Sequence, residues 1–261
     1  MKKLYSSLLV LILFVASMSS CEKNESKKTT CEIKLTNQVP GYTSSVTSRF
    51  NAAGQIIGIT TNDDSYSYEY KKNRVVVSSG GKDVFNIALE NGRAVRIELT
   101  KSDWVQNISY DQDGRIKQIF LGEPDDASNT YTFNYRNGNL DYIIEEMKAN
   151  KLIDRRYTYE YSDVKVDSRT QSLQSYFGLG SSNSLPVTLR GTSSTYLPSK
   201  LIYTERMSAS PYTLALTSVA EYSYIRSSDG KLTGVNIKNI LVSPVGERIT
   251  NQKINIESSC D

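Results

Sequence analysis

The chain has 261 residues, with 31 Lys and Arg, 28 Asp and Glu, and no histidine. Without histidine, Ser-His-Asp and Cys-His nucleophilic devices and histidine metal sites are excluded. Two of the basic residues, Lys2 and Lys3, lie in the first 20 residues, so the rest of the chain carries 29 basic against 28 acidic groups. A balanced charge gives no reason to expect nucleic acid as a partner. The composition favours a non-enzymatic protein without a cofactor.

The first 20 residues have the order of a secretory signal peptide. Lys2 and Lys3 are followed by the apolar run from Leu8 to Val15, which is too short to span a bilayer, and then by small residues up to Ser20. Cys21 comes directly after them and resembles the cysteine of the bacterial lipobox. The resemblance implies that Cys21 is acylated and becomes the first mature residue, whereas the alternative is an ordinary secreted protein.

Residues 21–30 are predicted to be a flexible tether between the lipid on Cys21 and the folded body. Residues 22–30 are polar or charged and include no apolar side chain. The run from Cys21 to Glu25 also resembles the charged segment that directs some lipoproteins to the cell surface. We therefore expect an outer membrane lipoprotein, at the cell surface or else on the periplasmic face. The membrane leaflet that holds the anchor stays open.

From residue 31 onward a degenerate repeat is present, in which an apolar residue, a short polar turn ending in Gly and a second apolar residue follow one another. Turns are predicted at five glycines and, more weakly, at Lys72-Asn73 and Ser162-Asp163; the glycines are Gly54, Gly92, Gly114, Gly138 and Gly230. Glycine tolerates the positive backbone angle that tight hairpin turns require. The steps of about 20 residues each hold two strands and two turns.

The segments between the turns alternate with period two, which is typical of strands with one buried face. The clearest runs place aromatic residues on one face: Tyr66, Tyr68, Tyr70; Tyr131, Phe133, Tyr135; Tyr157, Tyr159, Tyr161. We predict an all-β domain over residues 31–261, an antiparallel meander of roughly 14 to 18 strands built from hairpin repeats. It would be curled into a barrel or half-barrel.

An irregular, Ser- and Gly-rich excursion interrupts the repeat near residues 167–200. A long irregular segment in a regular meander is either a binding loop or a flexible surface loop. Its aromatic residues are the ligand candidates of the sequence, namely Tyr176, Phe177 and Tyr196.

The clusters of carboxylates are better explained by their place in turns and strands than by metal binding or catalysis. Asp111 and Asp113 lie in a predicted hairpin turn and lack the further oxygen ligands of a calcium loop, so no metal site is predicted. The pairs Asp63-Asp64 and Asp125-Asp126 fall in turns, and Glu145 and Glu146, as neighbours on a strand, point to opposite faces. Glycoside hydrolysis requires two carboxyl groups that face each other across a cleft.

Cys31 and Cys260 are a disulfide candidate. Once Cys21 is lipidated, these are the two remaining cysteines of an exported chain, and they lie at the start of the first strand and after the last one. A bond between them requires that the meander closes until its ends meet.

The whole chain resembles a group of gut-bacterial surface lipoproteins that carry a domain of unknown function described as porin-like. The features that carry the resemblance are Cys21, the hairpin repeats, which also resemble Rhs/YD repeats, and the segment from Tyr176 to Gly180 followed by Leu185-Pro186 and Leu197-Pro198. The resemblance implies a barrel-like all-β body and brings no activity with it.

These observations favour a lipid-anchored, non-enzymatic binding or structural protein of the bacterial outer envelope. It is held to the membrane through Cys21 and has a glycan or lipid as its ligand. The first alternative is a carrier of an apolar ligand such as a lipid in a barrel cavity. The second is a glycan-binding or carboxylate glycan-active protein. A membrane-spanning pore is disfavoured because charged residues such as Arg96 and Glu98 recur in the strands.

Overall fold

The computed structural model describes residues 31–148, 153–166, 194–207 and 216–259. It confirms the all-β prediction: sixteen strands pair in sequence order as an antiparallel meander, and pairing of the first strand with the last closes a barrel. Within the described residues, a single turn of 3-10 helix at Pro124–Asp126 is the only helical element. The closed form of the prediction is therefore correct, and the half-barrel is not observed.

The strands have the following bounds: β1 Cys31–Val39, β2 Tyr42–Phe50, β3 Ile56–Thr60, β4 Ser65–Lys71, β5 Arg74–Ser79, β6 Lys82–Glu90, β7 Arg93–Leu99, β8 Val105–Tyr110, β9 Ile116–Leu121, β10 Asn129–Arg136, β11 Asn139–Met147, β12 Ile153–Lys165, β13 Tyr196–Met207, β14 Leu216–Arg226, β15 Leu232–Ser243 and β16 Gly246–Ser258.

The two ends of the barrel differ in what they hold. In a meander, successive connections alternate between the ends. The terminal end, as we call it, holds Cys31, Ser259 and the connections that follow even-numbered strands, including the one between β12 and β13. The distal end holds the connections that follow odd-numbered strands, beginning with the turn at Pro40-Gly41.

All five predicted glycine turns are present, and all lie at the terminal end. Each of these glycines has a positive φ, and at the β6–β7 turn Asn91 (φ 51°) and Gly92 (φ 77°) form a two-residue connection with both angles positive. The turn at Lys72-Asn73 is also present between β4 and β5. The turn predicted at Ser162-Asp163 is wrong, because β12 continues through these residues to Lys165 and accommodates them in a bulge.

The interior of the barrel holds a filled apolar core. Side chains with little or no exposure come from strands all around the barrel: Ile33, Val75, Val77, Ile87, Ile97, Leu197, Val235 and Ile254. The aromatic runs predicted to face inward do so, since Phe133 and Tyr159 are buried in this core and Tyr131, Tyr135, Tyr157 and Tyr161 pack against it. Fully burying an aliphatic side chain contributes about 1.5 to 3 kcal/mol, so this layer supplies the main driving force for closure.

The outer wall is polar. Outward-facing residues pair across neighbouring strands as ions, such as Lys34 with Glu257 (3.6 Å) and Lys238 with Glu221 (3.6 Å). Arg96 contacts both Glu98 (2.6 Å) and Glu123 (2.7 Å). Charged groups on the outer wall are typical of a barrel surrounded by water.

The seam, by which we mean the ladder between β1 and β16, covers only part of β16. The two strands pair from Ile33↔Ser258 to Gln38↔Lys253, and Ser259 N–H donates to the Glu32 carbonyl (3.0 Å). β16 begins at Gly246, so its residues 246–252 pair with β15 on one side and lie beyond the seam on the other. We call residues 246–252 the free edge of β16.

Candidate functional site

Charged side chains point into the distal half of the barrel at one level. Glu145 on β11 lies opposite Arg155 on β12, and Arg155 lies opposite Glu205 on β13. Tyr131 on β10 is the partner of Glu145 in the same row. These four residues share a face with the core aromatics because they lie two positions from inward-facing neighbours, so the alternation that fills the core also carries them inside.

Glu145 is buried, with 4% of its surface exposed, and is saturated with donors. Its Oε1 accepts hydrogen bonds from Asn129 Nδ2 (2.9 Å), Tyr131 OH (3.2 Å) and Arg155 Nη1 (3.2 Å). Its Oε2 accepts from Tyr157 OH (2.9 Å). A buried carboxylate is tolerated only when it is paired and hydrogen-bonded in this way.

Arg155 joins the buried carboxylate to a more accessible one. Its Nε donates to Glu205 Oε2 (2.8 Å), which also accepts from Tyr203 OH (2.6 Å). The hydrogen bonds from Tyr203 and Arg155 lower the pKa of Glu205, and the bond to Glu205 raises the pKa of Arg155. Burial, followed by the hydrogen bond to Glu205, raises the pKa of Tyr203 to about 12. At neutral pH both groups of the Arg155–Glu205 pair are therefore charged.

Two polar groups of this pair remain available. Among the hydrogen bonds of the described residues, none involves Arg155 Nη2 or Glu205 Oε1, and the side chains of both residues are about one quarter exposed. The ring of Tyr203 lies beside that of Tyr157, with centroids 4.9 Å apart. A donor, an acceptor and aromatic rings together can bind hydroxyl groups and cover an apolar sugar face.

Gln106 adds an unpartnered amide inside the same half. It points inward from β8, in register with Leu121, which is in turn in register with Asn129 of the cluster. The residue is fully buried, and neither its Nε2 nor its Oε1 has a hydrogen-bond partner among the described residues. A buried amide without a partner is costly, so this one is suited to accept an ordered water or a polar ligand group.

The arrangement does not match a glycoside hydrolase. Glu145 and Glu205 both face inward, but the guanidinium of Arg155 lies between them and bonds to both. The lowered pKa of Glu205 is opposite to the raised pKa that a general acid requires.

Of the residues singled out in the sequence, several fall outside the described part of the chain, namely Cys21, Tyr176, Phe177 and Cys260. Tyr196 does not lie in an irregular loop: it is the first residue of β13, and its N–H donates to Asn139 Oδ1 (3.2 Å). Strand β13 therefore includes residues 196–200, which are the last part of the predicted irregular excursion. Cys31 begins β1, as expected, and is disulfide-bonded.

The turn at Asp111 and Asp113 is held by backbone and arginine contacts. Asp111 Oδ1 accepts the N–H groups of Asp113 (3.0 Å) and Arg115 (2.9 Å), and both carboxylates contact the Arg115 guanidinium. These bonds use the oxygens that a calcium ion would need. Within the described residues, no group of three potential metal ligands is found.

The sequence pair Glu145-Glu146 predicts only that the two side chains face opposite ways, and it therefore does not predict the charged cluster. Glu146 is exposed on the outer wall, as alternation requires. The informative signal is the inward phase: Glu145, Arg155 and Glu205 each lie two residues from an inward Ile143, Tyr157 or Tyr203. Charged residues in phase with a core stripe indicate a polar interior.

The architecture is a closed antiparallel β-barrel of sixteen strands. The chain is similar to a crystal structure described as a porin-like protein from Bacteroides uniformis, with a TM-score of 0.61, 16% sequence identity, and coverage of 87% of this chain and 97% of that chain. No protein-family model and no curated protein matches the sequence. In the described segments, no helix has the length and apolar character needed to cross a membrane.

Proposed function

We propose that the protein is a lipid-anchored, non-enzymatic binding protein of the bacterial outer envelope, whose ligand enters the distal half of the barrel. The observation that carries the proposal is the cluster of Glu145, Arg155 and Glu205 inside a barrel whose other half is filled with apolar side chains. An interior with buried charges is costly to build, and it is retained where it binds something.

The position of the tether supports this orientation. Strand β1 begins at Cys31 at the terminal end, and residues 22–30 connect it to Cys21. A lipid on Cys21 would hold the terminal end towards the membrane, so that the distal end faces away from it. The polar interior would then be the part of the barrel that a ligand in solution reaches first.

The outer wall supports a barrel that stands on the membrane rather than in it. A barrel that spans a membrane presents an apolar band about 25 Å tall to the lipid. Here charged residues face outward along the strands, among them Glu69, Glu98, Glu160, Lys238 and Lys253. The charged outer wall therefore does not support a function as a membrane-spanning pore.

The ligand chemistry that fits is a neutral glycan. The cluster has two carboxylates and one guanidinium, and Arg155 is already paired with both, which disfavours a further anion. Glu205 Oε1 and Arg155 Nη2, which have no hydrogen-bond partner among the described residues, suit hydroxyl groups that both donate and accept. A lipid carrier would need an apolar cavity, whereas the apolar layer consists of tightly buried side chains.

A glycan and lipid binding screen on the purified chain starting at Glu22 tests the proposal. We expect binding of a neutral oligosaccharide, and we expect Glu205→Gln to weaken it at least tenfold. Glu160→Gln is the matched control, because Glu160 is an exposed glutamate on the outer wall that lies 3.9 Å from Lys200.

Two results of the binding screen would contradict the proposal. One is lipid binding without glycan binding, which would favour the carrier. The other is shortening of the bound oligosaccharide, seen by mass spectrometry, which would show an enzyme.

The anchor is tested separately. Mass spectrometry of the protein from membranes should find acylated Cys21 as the first residue, and Cys21→Ala should give an uncleaved precursor or unanchored protein. A mature chain that contains an unmodified Cys21 would refute the lipid anchor.

A further inference from the structure

Within the described residues, no strand pairs with the free edge of β16, which lies on an exposed hairpin with apolar side chains. Ser259 N–H points towards β1, and with the alternation of an antiparallel ladder the odd-numbered residues of β16 point their N–H and C=O groups the same way. β1 no longer pairs at Glu247, Ile249 and Asn251. Such an edge is a template for another strand.

The hairpin around this edge holds most of the exposed large apolar side chains of the described residues. Leu241, Val242, Val245 and Ile249 are exposed, Val245 almost completely (97%), and the remaining one is Tyr42. Ile240 is the register partner of Ile249, and both face outward. An apolar strip next to an open edge indicates a protein contact.

A groove lies at the base of the free edge. It has a volume of about 580 Å³ and is bounded by Val39 and Pro40 of the β1–β2 hairpin, by Asn251, Gln252 and Lys253 of β16, and by outward-facing residues of β14 and β15. The groove therefore marks the point where the β1–β2 turn and β16 separate.

We propose that this free edge pairs with the same edge of a second copy of the chain, in an antiparallel arrangement centred on Ile249. Ile249 would then lie opposite Ile249 of the other copy, and Glu247 opposite Asn251, so that three odd-numbered pairs exchange backbone hydrogen bonds. The two Ile240–Ile249 pairs would form one apolar strip. A two-fold axis requires such self-complementarity.

The register follows from the sequence of the edge. Centring on Ile249 places Arg248 opposite Thr250, so no like charges meet, whereas centring on Arg248 would bring two guanidinium groups together. In this register the turn residue Val245 of each copy reaches the groove bounded by Val39 and Pro40 of the other, next to the last seam pair Gln38↔Lys253. In the dimer, Val245 of each copy would thus contact the groove of the other copy, which gives two identical contacts.

Cysteine cross-linking in cells that express the full chain tests both the contact and its register. In a hydrogen-bonded antiparallel pair the α-carbons lie about 5.5 Å apart, which suits a disulfide. Ile249→Cys should therefore give a disulfide-linked dimer under mild oxidation. Glu247→Cys, which is equally exposed on the same face, should give at least tenfold less, because its partner in this register is Asn251.

Variants in the Ile249→Cys background separate edge pairing from chance collision. Asn251→Pro removes an N–H that points to the free edge and leaves the ladder to β15 intact, so the cross-linked fraction should fall at least tenfold. Leu241→Ser removes a similar apolar surface from the opposite face of the hairpin and should leave it unchanged.

Three results would overturn the proposal. They are the absence of a cross-linked dimer of Ile249→Cys, equal cross-linking of Glu247→Cys, and an adduct whose mass shows a different protein.

Discussion

The interior of the barrel near its terminal end differs from the interior at the distal ends of β11, β12 and β13. Near the terminal end the inward positions are aliphatic or aromatic, and Ile33, Val75 and Val235 are at most 1% exposed. At the distal ends of β11, β12 and β13 the same alternation brings Glu145, Arg155 and Glu205 inside. The terminal half is organised for stability, whereas the distal half contains the groups that can recognise a ligand.

The two ends also differ in their connections, because the terminal end has the tight glycine turns and the distal end has an exposed hairpin. The predicted glycine turns all lie at the terminal end, where the chain also enters and leaves the barrel. At the distal end the β15–β16 hairpin extends beyond β1 and is exposed on both faces. A repeat that specifies a fold can therefore leave one end of it available for function.

The largest expected effect concerns the seam at the terminal end. Cys31 is disulfide-bonded, and we predict Cys260 as its partner. Cys31→Ser should then destabilise the fold by up to roughly 5 kcal/mol, since the bond closes a loop of more than two hundred residues. Urea unfolding with and without reductant measures this loss. Peptide mapping that links Cys31 to Cys21, or an unchanged unfolding midpoint, would contradict the prediction.

A pair of isoleucine variants compares the two ends directly. Ile33→Ala in the terminal core should lower the free energy of unfolding by about 3 to 4 kcal/mol, because it leaves a cavity in the apolar core. Ile249→Ala on the distal hairpin should cost less than about 1 kcal/mol in dilute protein. Similar costs at the two positions, measured by chemical denaturation, would show that the ends do not differ in packing.

The polar interior should be stabilising as a unit despite its charge. Glu145→Ala leaves Tyr131, Tyr157 and Asn129 without their acceptor, and we expect a loss of about 2 to 3 kcal/mol in unfolding free energy. Glu146→Ala, on the next residue but on the outer wall, should change stability by no more than about 0.5 kcal/mol. Equal effects would mean that Glu145 is not held as described.

The smallest expected effect is the pH dependence that a buried tyrosine near the terminal end gives to stability. Burial raises the pKa of Tyr161 to about 12, against an unfolded value near 10. Its stabilising contribution is thus complete below pH 10 and is lost as the pH rises from 10 to 12, by at most about 1.4 kcal/mol per pH unit. Tyr161→Phe should therefore flatten the fall in urea midpoint over that range. An unchanged slope in the Tyr161→Phe variant would count against the assignment.

Much of the fold could be predicted from the sequence because the local signals agree with one another. Glycines with positive φ set the turns, and runs such as Tyr157, Tyr159 and Tyr161 set the inward face. The failed turn at Ser162-Asp163 shows the limit: a polar pair inside a strand resembles a turn, and cross-strand pairing with β13 overrides it. Local chemistry does not reveal which strand a segment will pair with.

The candidate site could not be predicted because it is assembled across strands. Glu145, Arg155 and Glu205 are separated by 10 and 50 residues, and only the register places them in one row. Gln106 comes from a fourth strand, 39 residues before Glu145. The sequence does indicate that each of these residues faces inward, but it does not indicate that the three charged ones meet.

The seam also has a consequence for the order in which the barrel folds. Fifteen of the sixteen strand pairings join neighbours along the sequence, and each can form as soon as both of its strands have been synthesised. The sixteenth, between β1 and β16, joins residues more than two hundred positions apart and must wait for the last strand. The entropic cost of that final loop closure grows only slowly with length, so closing the barrel is a late step but not a prohibitive one. Until then β1 has one unpaired edge, at which it could pair with another chain.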